Sequence, residues 1–64
     1  MKVYRIKHKP SGLYYCNRFK KLTAEGSVFD MESYCNMILK MVKAKYHKQY
    51  HHDEFEIIEY ELKD

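Results

Sequence analysis

Polar and apolar residues alternate along "VYRIKH" (Val3 to His8), the two-residue period of a strand with one face toward a core. "LYYCNR" (Leu13 to Arg18) is rich in aromatics and suits the antiparallel partner. Between them, Pro10 presets a turn dihedral and Gly12 supplies a left-handed position. The pattern predicts a loop of about three residues, a type I turn closed by a glycine bulge. That loop sets Ile6 opposite Cys16, Lys7 opposite Tyr15 and Tyr4 opposite Arg18. Tyr4, Ile6, Tyr14 and Cys16 then share a core face, and Val3, Arg5, Lys7, Leu13, Tyr15 and Asn17 share the other.

"NRFKKLTAEG" has loop character, with a turn at Glu25-Gly26, and "SVF" (Ser27 to Phe29) fits a short third strand. From Met31 the period changes. Met31, Tyr34, Cys35, Ile38, Met41, Val42 and Tyr46 recur at spacings of three and four, one stripe of a helix capped by Asp30 and ending near Lys48. Asn36, Lys40, Lys43 and His47 form its polar, basic ridge. After the exit loop "QYHHDE", alternation returns in "FEIIEYEL". Ile58, Tyr60 and Leu62 are expected on the core face, with Phe55, Ile57, Glu59 and Glu61 opposite. The order is ββ(β)αβ, an α+β fold. One domain spanning 1–64 holds a small antiparallel or mixed sheet of three to four strands, with one helix packed on one face.

Composition narrows the function more than the fold. At 64 residues the core is small, which leaves little room for a multi-part active site. Two cysteines, Cys16 and Cys35, fall short of a disulfide framework. The charged N-terminal stretch lacks the apolar segment of a signal peptide, and no run approaches a membrane span. A reduced, cytoplasmic protein with no membrane contact is expected. The net charge of +3 hides a split: residues 1–52 carry eleven Lys or Arg against three carboxylates, a net of +8. Residues 53–64 carry one lysine against six carboxylates, a net of −5.

Candidate chemistry is sparse. His47, His51 and His52 with Asp53 and Glu54 cluster in sequence, but nothing resembles paired Cys-x-x-Cys zinc spacing, and the histidines suit a solvated helix end. Both cysteines fall on faces expected to be buried, where thiols are inert. With two glycines there is no phosphate loop. No catalytic residue, metal or cofactor is implied. Arg5, Lys7, Tyr15, Asn17, Arg18 and Lys20, with Lys40 and Lys43 of the helix, are the candidate partner-binding residues, offering cations, an amide and a ring. They suit a protein partner or, alternatively, DNA or RNA; carboxylates of the last strand beside Arg5 and Lys7 would weaken the attraction of phosphate. Phe55, Ile57 and Tyr15, on the face away from the helix, would form an apolar patch fit for a homodimer.

"YRIKHKPSGLYY", "EGSVF" and "FEIIEYEL" together resemble small accessory proteins of large tailed bacteriophages. In these a Lys-His-Lys-Pro-Thr/Ser-Gly-Leu-Tyr/Phe-Tyr hairpin precedes a Gly-x-Val/Ile-Tyr/Phe strand, a helix and a final strand. The likeness covers about half of the chain. It implies an early, non-enzymatic protein that binds and modulates or blocks a host or antiviral-defence protein in the host cytoplasm. It carries no site residues over.

Overall fold

The structure, a computed structural model, describes residues 1–62, and of His52 the backbone alone. Strands β1 (Lys2–His8), β2 (Leu13–Cys16) and β3 (Lys21–Thr23) precede helix α1 (Glu32–Lys45). A single 3-10 turn (His52–Glu54) leads into β4 (Phe55–Glu61). All strand pairs are antiparallel in the order β3-β2-β1-β4, so the first and last strands are neighbours. The α+β class with one helix on one sheet face is as the sequence pattern predicts.

Register is where expectation and structure part. Lys7 pairs with Tyr14 and His8 with Leu13, leaving Lys9 to Gly12 as a four-residue loop. Gly12 has φ +74° and donates its N–H to the His8 carbonyl at 2.9 Å. A shift of one residue moves every side chain of a strand to the other face. Tyr15 therefore points inward, only 5% exposed, and Tyr14 turns out toward Arg5. His8 fits this register: its ring is buried and bonded to Ser11, and its residue is the last pair of the ladder before the loop.

The last strand is inverted in the same way. Ile57 lies opposite Ile6 and Phe55 opposite His8, so Phe55 and Ile57 face the helix while Ile58 and Tyr60 share the outer face with Arg5 and Val3. Leu62 is exposed. The apolar patch expected from Phe55, Ile57 and Tyr15 is thus core, and the ground it gave for a homodimer is removed. Glu59 and Glu61 do not flank Arg5 and Lys7: Glu56 lies opposite Lys7, and Glu59 pairs with Lys2 at 3.6 Å.

The third strand is Lys21–Thr23, within the stretch expected to be loop. Its hairpin closes through Asn17 to Lys20, with Lys20 at φ +56°. Ser27 to Phe29 is no full strand but a wedge. β1 and β2 part after two pairs, and Phe29 fills the gap by exchanging both backbone hydrogen bonds with Tyr4, at 2.7 and 2.8 Å. Ser27 donates its N–H to the Tyr15 carbonyl on the other side.

Helix α1 begins after Met31, whose side chain makes no cap, so Asp30 is not the capping residue; Glu32 and Lys43, Lys45 sit at the ends that suit their charges. The helix ends three residues before Lys48, where Tyr46 closes the last turn and Gln49 and Tyr50 fold back onto Tyr46. Cys35, Ile38 and Val42 are buried on it, with Leu39 and Tyr46 beside them. Met31, Tyr34 and Met41, expected on the buried stripe, are exposed. The core joins the helix residues to Tyr4, Ile6, Tyr15, Phe29 and Phe55.

Candidate functional site

The eight residues singled out from sequence do not form one surface. Arg5 and Lys7 lie on the outer sheet face, opposite the helix. The Arg5 guanidinium stacks 3.6 Å from the Tyr14 ring and 5.6 Å from that of Tyr60, and donates to the Glu25 carbonyl. Half-buried and occupied, it serves the sheet. Lys7 is half-buried between Tyr14 and Glu56 across the two ladders. Tyr15, the expected anchor, is core. Asn17, Arg18 and Lys20 are together in the β2–β3 loop: Asn17 accepts from the Lys20 ammonium at 3.0 Å, and the Arg18 guanidinium lies 5.5 Å from the Phe19 ring. Lys40 is exposed and Lys43 half-exposed on the outward side of α1.

The structure brings forward a surface that sequence reading missed. Tyr34, Met37 and Met41, spaced by three and four, line one flank of α1 next to the buried stripe. Met37 is 50% and Met41 59% exposed. The Asn17–Lys20 loop is tied along this flank at both ends: the Asn17 amide donates to the Tyr34 hydroxyl at 3.4 Å, and the Lys45 ammonium donates to the Lys20 carbonyl. The loop carries Phe19, 62% exposed, with Met31 and Val28 exposed toward the start of the helix. One signal was legible: Met31, Met37 and Met41 within a single helical segment exceed what one side of a short helix can bury, and Met37 had no place on the stripe.

A second cluster is structural. The His8 ring, 2% exposed, lies with Nδ1 at 2.7 Å from Ser11 Oγ and Nε2 at 3.2 Å from Glu54 Oε1. Its centroid is 4.3 Å from that of Tyr50 and 5.0 Å from that of Phe55. One ring nitrogen thus faces the Glu54 carboxylate, an acceptor, and the other the Ser11 hydroxyl, which can serve as donor or acceptor. Ser11 Oγ in turn accepts the Leu13 N–H at 3.2 Å, and the Lys9 N–H reaches the Glu54 carbonyl at 2.8 Å. The opening hairpin is thereby latched to the turn before β4. His8→Phe keeps the ring packing but strands both partners, and should cost about 1–3 kcal/mol, measured by urea unfolding; an unchanged midpoint would show that the latch contributes nothing.

The two thiols differ. Burial and the Glu32 carboxylate push Cys35 up to about 11. Cys16 is held below its usual value by the Phe19 backbone N–H, working against burial, with smaller help from the Ser27 hydroxyl and the Arg18 backbone and charge. Cys16 borders an open depression of about 410 Å³ lined also by Phe19, Thr23, Ala24, Glu25 and Gly26. Both thiols are buried, as expected, but Cys16 keeps 8% of its surface open at the depression and Cys35 none, so at pH 8 iodoacetamide should alkylate Cys16 before Cys35, which should react only on unfolding. Equal rates by mass spectrometry would contradict the burial described.

Among the described residues no three His, Cys, Asp or Glu side chains are grouped to hold a metal ion. His47 Nδ1 lies 2.7 Å from the Ala44 carbonyl and His51 Nδ1 3.5 Å from the Asp53 carboxylate. No described helix is long and apolar enough to cross a membrane. In comparisons with known proteins the chain matches no family model, no curated protein and no solved structure.

Proposed function

We propose that this chain is a non-enzymatic protein-binding module, with Tyr34, Met37 and Met41 at the centre of its contact surface and Lys40 and the Asn17–Lys20 loop, which carries Arg18, Phe19 and Lys20, at the border. The single observation that carries the reading is the run of large apolar side chains left open along α1 in a chain with so few apolar residues to spare. Exposed apolar patches with basic borders mark contact sites, and methionine adapts its shape to a partner at little cost. The phage context, an inhibitor or modulator of a host or antiviral-defence protein, rests on the hairpin resemblance alone.

Nucleic acid is the second reading, favoured by Arg18 and Lys20 on the exposed β2–β3 loop and by Lys21, which opens β3 directly after it. It predicts a steep loss of affinity with salt and little dependence on the methionines. The deciding experiment is capture from host lysate, with and without nuclease, by the parent and by Met37→Glu/Met41→Glu. One stoichiometric protein, resistant to nuclease and lost with the double variant, supports the first reading. Capture that nuclease abolishes supports the second.

A further inference from the structure

Resting on that reading, we propose that the partner presents an acidic amphipathic helix, laid along the Tyr34–Met37–Met41 flank of α1 beside the Asn17–Lys20 loop. Tyr34, Met37 and Met41 span two turns of helix, about 10 Å, and offer apolar sites at i, i+3 and i+7. That is the spacing at which a partner helix displays its own anchors.

The charges around the stripe select the partner's sign. Lys40 stands three residues beyond Met37 on the outer border, and Lys45 four beyond Met41 on the loop border. Arg18 and Lys20 extend the positive border along the loop, while the only carboxylate of α1, Glu32, lies in its first turn. An apolar strip between two cationic margins fits a helix with an apolar seam and Asp or Glu on both flanks. The partner's carboxylates belong over the half of α1 that ends at Lys45. A second copy of this chain fits poorly, because pairing two such faces sets Lys40 and Lys45 near their own counterparts. Nucleic acid leaves the thioethers without a matching group.

The probe is a display library of helix-favouring peptides of about four turns (about 15 residues), randomised on their surface positions and panned against the folded protein. Enriched peptides should carry bulky apolar residues at i, i+3 or i+4, and i+7, with net negative charge. They should bind Met37→Glu/Met41→Glu about tenfold or more weaker and weaken likewise with Lys40→Glu, both variants melting as the parent does; Met37→Ser/Met41→Ser replaces the glutamates if melting shifts. Basic or aperiodic peptides, peptides indifferent to these variants, or no enrichment would overturn the proposal. So would a dimer in sedimentation that the methionine variants dissolve. Lysate capture that resists nuclease but fails with the methionine variants would keep the protein-binding reading alive even then, so the two readings fail separately.

Discussion

Ile38→Ala is expected to remove about 2–5 kcal/mol of stability, enough to leave a domain of this size largely unfolded. Ile38 sits in the middle turn of α1 between Cys35 and Val42, and its side chain is buried in the cluster that also holds Tyr4, Ile6, Tyr15 and Phe55. The helix has no side-chain cap at its start and is too short to persist alone, so its packing on β1 and β4 is what maintains it. A cavity at Ile38 loosens that packing at its centre. By contrast, Met41→Ala should leave stability within about 0.5 kcal/mol, as surface changes do. Urea midpoints of the two variants give the comparison; similar losses would mean that the helix is rotated from the orientation described.

Gly26→Ala should be nearly as damaging, for a different reason. Gly26 has φ +67°, and a methyl group there would press into Tyr14 Cβ well inside van der Waals contact and lie 3.0 Å from the Tyr14 carbonyl carbon and the Tyr15 oxygen. The left-handed backbone costs about 1–2 kcal/mol for an L side chain. Displacing packed backbone costs about 1–3 kcal/mol more. Gly12 separates the two effects, because its φ of +74° is similar but a methyl group there meets nothing within 4 Å. Gly12→Ala should therefore show the backbone cost alone, about 1–2 kcal/mol. Equal destabilisation at both sites, by thermal melting, would remove the close approach of Gly26 to β2 as a factor.

The hairpin, the helix and the last strand were legible in the sequence, but β3 was not, nor were the faces of β2 and β4, and three segments show why. "LYYC" offers Tyr14 or Tyr15 to the core with equal apolar weight, and "FEIIEYE" offers Phe55 and Ile57 or Ile58 and Tyr60. Alternation fixes a period but not a phase when both faces carry aromatics. The phase observed accommodates His8, a buried polar residue bonded to Ser11 and to Glu54 forty-six residues away, a partnership no local pattern announces. "SVF" has strand composition, which predicts a strand. It makes strand hydrogen bonds, but as a wedge held by Tyr4 and Tyr15. The candidate site suffered from the same error of phase. Alternation alone turns Tyr15 outward and puts the anchor on the hairpin, while the helical period puts Tyr34 and Met41 in the core and so hides the surface they form.

The pairing of β1 with β4 along seven residue pairs, from Lys2 with Glu61 to His8 with Phe55, also sets a timetable. During synthesis β1 emerges first and waits for the last strand before its longest ladder can form. The most extensive contact of the fold is thus also the most distant in sequence, and its closure carries a large loop entropy. Residues 1 and 62 are already neighbours, with the Leu62 N–H bonded to the Met1 carbonyl at 2.7 Å. A circular permutant that links these two strands by a short turn, and is opened in the exposed segment around Lys48, would turn this distant closure into a local hairpin. Its refolding in stopped flow should be faster than the parent's, with the same ring of contacts at the end.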